Sequence, residues 1–105
     1  MIKKISKIYL NNWAAKDLVS LEELLSDDCI LKDWEVELTS KKEILELNKN
    51  FFENNEIDLE IINLTQEEPY VYAHIVITIN DQKFDVVDKL KFKNNKIVSI
   101  EAFKK

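Results

Sequence analysis

Three side chains in this sequence are of types that do chemistry, and each stands where the surrounding pattern asks for an apolar residue. The first is Asp88. Read as a strand, residues 83–92 (KFDVVDKLKF) put Phe84, Val86, Asp88, Leu90 and Phe92 on one face and Lys83, Asp85, Val87, Lys89 and Lys91 on the other. The second face is wet. The first is apolar except for one carboxylate at its centre. Such a group costs several kcal/mol if it stays ionised, or holds its proton well above the usual carboxylate range. Asp33 raises the same question, since it follows Cys29 and Leu31 on one face of a short strand and precedes Trp34. Tyr9 is the third, a phenol within a stripe of core-like residues, and a buried hydroxyl needs a partner. Two inward acids and a phenol from distant parts of the chain, near aromatic residues, point to a polar site at the bottom of an apolar pocket.

The elements that must position these groups follow from periodicity. Ile2, Ile5, Ile8, Tyr9, Asn12 and Trp13 recur at helical spacing over residues 2–15. Asp17 is placed to cap a short second helix, LVSLEELL, and SDDCILKD then reads as a turn followed by a short strand. TSKKEILELNKNFFENN reads as a third helix, capped by Thr39 or Ser40, with Glu43 at capping-box distance from Ser40. Its apolar side carries Ile44, Leu45, Leu47, Phe51 and Phe52. From residue 57 the period changes to two. IDLEIINLT, YVYAHIVITI, KFDVVDKLKF and KIVSIEAF then form a meander of four strands. Its connections carry Pro69, Asn80-Asp81 and Asn94-Asn95 in place of glycine. Helices first and antiparallel strands after argue for an α+β fold, with three N-terminal helices packed on one face of a curved sheet. Residues 1–105 read as a single domain, with no repeat or linker.

Composition narrows the function. The 105 residues are 46% hydrophobic and 33% charged, enough for a core without staples. The net charge of −5, the scattered lysines and the absence of arginine exclude a nucleic-acid surface. With no glycine at all, the phosphate-cradling loops of nucleotide-binding folds are excluded too. One cysteine cannot pair within the chain, which suggests a reducing compartment. Polar residues interrupt the basic N-terminus every few positions, and no stretch reaches the length of a membrane span. The expectation is a cytoplasmic protein without membrane contact. With one histidine and one cysteine in different elements there is no zinc set, and no cofactor is expected. Cys29 reads as a small buried hydrophobe.

His74 is expected to point away from the pocket, on the face of its strand shared with Tyr70, Tyr72 and Val76. With Val87 of the next strand these make an aromatic patch on the outside of the sheet, suited to a homodimer interface.

The order of elements, together with LEELLSDDCILKD, TSKKEIL and VVDKLKFKNNKIVSIEAF, resembles the SnoaL-like, nuclear transport factor 2-like superfamily, a cone-shaped (cystatin-like) α+β barrel. Within it, YLNNWAAKDLVSLEELLSDDCILKD is similar to ketosteroid isomerase without a gap. The resemblance implies that Tyr9 falls at an oxyanion-hole tyrosine, Asp33 at the general base and Asp88 at a protonated aspartic acid, a carboxyl kept neutral by its apolar site. The implied pocket lining is Trp13, Trp34, Asn48, Phe52, Phe84, Phe92 and Ile100, and the implied ligand is small and hydrophobic. Members often dimerise through the outer sheet face. The sequence departs from the isomerases at Asn48, where they have a supporting tyrosine, and at Leu25, where they have another. Shorter loops imply a pocket too small for a steroid. Two readings follow: an isomerase-like or polyketide cyclase-like enzyme, or a non-catalytic binding or dimeric assembly module of the same fold.

Overall fold

The computed structural model describes residues 1–105. Three helices, α1 (Ile2–Ala14), α2 (Leu18–Leu24) and α3 (Lys41–Asn54), pack on one curved sheet of six strands. The strands are β1 (Leu25–Lys32), β2 (Glu37–Leu38), β3 (Ile57–Glu67), β4 (Tyr70–Ile79), β5 (Gln82–Lys93) and β6 (Lys96–Lys104), in spatial order β2-β1-β6-β5-β4-β3. All neighbours run antiparallel except β1 and β6. No helix is long and apolar enough to cross a membrane.

Local chemistry sets the ends of these elements. Asp17 caps α2, its side chain accepting from the Ser20 backbone N–H at 3.1 Å. Ser40 caps α3 by accepting from Glu43 N–H at 3.2 Å, while Glu43 reaches back to Thr39 N–H at 3.1 Å. Without glycine, asparagine supplies the left-handed turns: Asn80 at φ 57°, and Asn94 and Asn95 at φ 53° and 61°. Asn80 also ties the β4–β5 hairpin to the end of α3, accepting from Glu56 N–H at 3.0 Å and donating to Asn55 Oδ1 at 2.9 Å.

The turn expected at the start of SDDCILKD is absent. β1 begins directly at Leu25, and its register against β6 slips between Leu25 and Ile30. The extended, bulged backbone absorbs the polar residues 26–28 while keeping Leu25 and Cys29 buried. The two-residue β2, which pairs with Leu31 and Lys32, is too short for a period to reveal.

The core lies between the helices and the concave face of the sheet. Leu10, Leu21, Ile44, Val71, Ile75, Leu90 and Ile97 are fully enclosed there. One end of that face is filled by its own side chains; the other is open.

Candidate functional site

The open end is a cavity of about 320 Å³ between α1, α3 and the sheet. That is the size of a small-molecule site rather than of a few trapped waters. Each wall comes from a different element. On α1, Tyr9 and Trp13 are four residues apart and so share a face. On α3, Asn48 and Phe51 face inward. Ile75 and Ile77 come from β4, Phe84, Val86 and Asp88 from β5, and Ile100, Ala102 and Lys104 from β6. Asp33 enters from the chain just beyond β1.

Tyr9, Asp33 and Asp88 therefore line one cavity. Asp88 is 9% exposed, and Ala73 stands opposite it on β4 and Ala102 on β6. These small neighbours leave it room but no hydrogen bond. Burial among apolar residues, and then the Asp33 carboxylate, push its pKa up to about 7. Tyr9, 5% exposed, has its phenol pushed well above the usual range, by burial first and then by the charge of Asp88. At neutral pH it keeps its proton and can donate. Ser26 Oγ is the one fully enclosed side-chain polar atom without a partner. The Tyr9 hydroxyl and the Asp88 carboxyl make no hydrogen bond to the chain either, so both face the open space of the cavity.

Asp33 is held differently. Its Oδ1 accepts from the backbone N–H of Glu35 at 2.7 Å and of Val36 at 2.8 Å, while its own N–H donates to Val36 O at 3.0 Å. This closed turn fixes the plane of the carboxylate and leaves Oδ2 without a hydrogen bond in the chain.

The aromatic wall differs in part from the sequence-based expectation. Trp13, Asn48, Phe84 and Ile100 line the cavity, and Trp34 does so at its rim, 44% exposed. Phe52 and Phe92 do not. Phe52 is buried behind Trp13, edge-on at 5.9 Å between ring centroids, and its neighbour Phe51 takes the lining position, stacked on Trp13 at 6.0 Å. Phe92 shares a strand face with Phe84 and Asp88 but lies toward the filled end, buried in the core. Lys104 was missed. Its ammonium lies 5.2 Å from the Trp34 ring centre and 5.8 Å from that of Phe84. The alternation Ile100, Ala102, Lys104 carries the signal for it, but a terminal lysine reads as solvated.

His74, Tyr70, Tyr72, Val76 and Val87 stand on the outer face, all half-buried. His74 Nε2 is 2.7 Å from Asp85 Oδ1. Cys29 is enclosed, and burial pushes its thiol up to about 12, so it is not a nucleophile at neutral pH. No three His, Cys, Asp or Glu side chains are grouped to hold a metal ion.

Solved structures share this architecture at very low sequence identity. A nuclear transport factor 2-like protein of unknown function from Cytophaga hutchinsonii superposes with a TM-score of 0.89 at 7% identity, over 100% of this chain and 90% of that one. A candidate ketosteroid isomerase from Kribbella flavida gives 0.91 at 14%, over 99% and 77%. An epoxide hydrolase of the LEH-like type from M. tuberculosis gives 0.91 at 11%, over 99% and 82%. Such different activities on one backbone establish the fold and no more. No curated protein matches the sequence significantly. The SnoaL-like domain model matches residues 7–100, and the chain belongs to that family.

Proposed function

We propose that the cavity binds a small, largely hydrophobic carbonyl compound and moves a proton on the carbon next to the carbonyl, without a cofactor. One observation carries this reading. A phenol and a carboxyl with no partner in the chain meet a second, fixed carboxylate inside one apolar cavity.

In this mechanism the substrate oxygen sits against Tyr9 Oη and the protonated Asp88, both of which donate to it. Asp33, through Oδ2, removes a proton from the α-carbon and leaves an enolate. The two donors stabilise the oxygen as it gains charge, a gain made in the transition state rather than in the ground state. Asp33 then returns the proton to the γ-carbon, so a β,γ-unsaturated ketone becomes its conjugated isomer with no net change in atoms. Trp13, Phe51 and Phe84 exclude water, which strengthens each of these contacts.

The test is the conversion of 3-cyclohexenone to 2-cyclohexenone, followed by ultraviolet absorbance. The wild-type chain is expected to accelerate it, and Asp33→Asn to lower kcat by about 10²- to 10⁴-fold while leaving the circular dichroism spectrum unchanged. A second reading, a binding module without catalysis, is favoured by the structural work Asp33 already does in its turn. It predicts that Asp33→Asn changes stability alone, and that neither protein turns over the enone.

We also infer that two copies pair through the outer sheet face. The row Val87–Phe103, with His74 on the other side of Val87, crosses that face; Phe103 is 50% exposed, and Ile62 at the β3 bulge is 47% exposed. Sedimentation velocity over rising protein concentration is expected to pass from monomer to dimer. A monomer throughout would remove the proposal.

A further inference from the structure

A buried amide in the cavity has one half in use and one half free. Asn48 is 6% exposed and occupies the position between Ile44 and Phe52 on the buried stripe of α3, where an aliphatic side chain would serve packing better. Its Oδ1 accepts from Trp13 Nε1 at 3.3 Å. An indole N–H is donor only, so it fixes which way the amide faces: oxygen toward Trp13, NH₂ away from it. That NH₂ donates to nothing in the chain, and it is not among the fully enclosed atoms, so it opens into the cavity that Asn48 lines. Holding Trp13 needs only an acceptor. The donor half has no structural use.

Its tie to Trp13 also relates it to Tyr9. Trp13 follows Tyr9 by four residues on α1, a rise of about 6 Å along the helix. The amide tied to Trp13 is thus a second donor in the cavity that Tyr9 also lines, held by the residue one helical turn beyond Tyr9. We infer that Asn48 is a specificity-determining residue, and that the cavity takes ligands carrying two oxygen acceptors on either side of a compact apolar body. One oxygen goes to Tyr9 and Asp88; the other accepts from Asn48 Nδ2. A monofunctional ketone of the same size would leave the amide unpaired, and a buried unpaired donor is costly. The inference rests on the cavity being a ligand site, not on proton transfer within it.

A matched pair of phenols separates the two. Both 4-methoxyphenol and 4-ethylphenol present a hydroxyl oxygen to Tyr9 and Asp88 and have nearly the same shape. Only the first carries a second oxygen, across the ring. Affinities are read by nitrogen–proton NMR titration of the full chain, with the Trp13 indole resonance as local reporter. The wild-type chain is expected to prefer 4-methoxyphenol by roughly threefold to tenfold, the range for one neutral hydrogen bond. In Asn48→Leu the ratio is expected to fall to about one. Asn48→Met removes the donor while keeping the bulk of the side chain, so the ratio is expected to fall there too, which decides the matter if the leucine variant does not fold. Equal affinities in the wild type, or a preference that survives in the variants, would overturn the role of Asn48 and leave the cavity a ligand site. Failure of the wild-type chain to bind either phenol would overturn both.

Discussion

The two faces of β5 treat their polar groups in opposite ways. On the outer face Asp85, Lys89 and Lys91 each have company. Asp85 pairs with His74 at 2.7 Å, and the Lys89 and Lys91 ammonium groups lie 4.7 and 5.9 Å from the Tyr70 ring centre. The depression between β1, β5 and β6 on that side is lined mostly by polar side chains, Asp28, Ser99 and Glu101 among them. On the concave face Asp88 has no hydrogen bond in the chain, and neither do the Tyr9 hydroxyl or the Asn48 NH₂. Polar groups of the first kind are solvated or paired and change stability little. Those of the second kind oppose folding. A polar residue that opposes folding and is directed into a cavity is a better mark of a site than any surface charge, because packing gives no reason for it.

The contrast has a measurable sign, and Asp88 carries the largest effect. Its folded-state pKa is raised to about 7, against 3.8 for an unhindered aspartate. Below pH 4 both folded and unfolded states hold the proton, and burial of the neutral acid carries no ionisation penalty. Between about pH 4 and 7 the unfolded state ionises first, so stability falls as pH rises; above about 7 the penalty is complete. Asp88→Asn removes it. The variant is expected to be more stable than the wild type at pH 8, by a few kcal/mol and at most about 4, with the gap closing toward pH 4. Urea unfolding at several pH values reads this directly. A gap that is the same at every pH would mean that Asp88 is solvated or paired, and the contrast between the two faces would collapse.

How much of this was legible in the sequence depended on whether a feature is local. The inward direction of Asp88 follows from period two in residues 83–92, and no tertiary contact can change it without slipping the register. The caps at Asp17 and Ser40 and the turns at Asn80 and Asn94-Asn95 are equally local, since each rests on the conformational preferences of one or two residues. The fate of the phenylalanines is not. Phe84 and Phe92 have the same alternation, and only the placement of the helices decides that one lines a cavity while the other fills the core. Phe51 and Phe52 point about 100° apart around α3, and only the setting of that helix against α1 and the sheet chooses between them. The bulge at residues 26–28 arises from pairing with β6, about 70 residues further along the chain. Asp33 was legible as inward-facing, but the closed turn that orients it depends on where Val36 returns.

The smallest effect belongs to the outer face, and it sharpens the comparison from the other side. His74 and Asp85 are diagonal neighbours on β4 and β5, His74 standing opposite Val87 and Asp85 opposite Val76, with side chains 30% and 51% exposed. A pair with that much access to water gains little, because each partner exchanges good hydration for one contact and gives up side-chain freedom. A double-mutant cycle with His74→Gln and Asp85→Asn is expected to give a coupling below about 1 kcal/mol in dilute protein. That is opposite in sign to the Asp88 penalty and several times smaller. The same pair lies beside Val87, at the centre of the row through which two copies are proposed to meet. A second copy would take water from both partners and make the loss of one more costly, since the other would be left buried and unpaired. The single substitution Asp85→Asn should therefore cost more at concentrations where dimers form than in dilute protein. If its cost stays the same while sedimentation shows a dimer, the copies meet elsewhere, and the outer face is a solvated surface throughout.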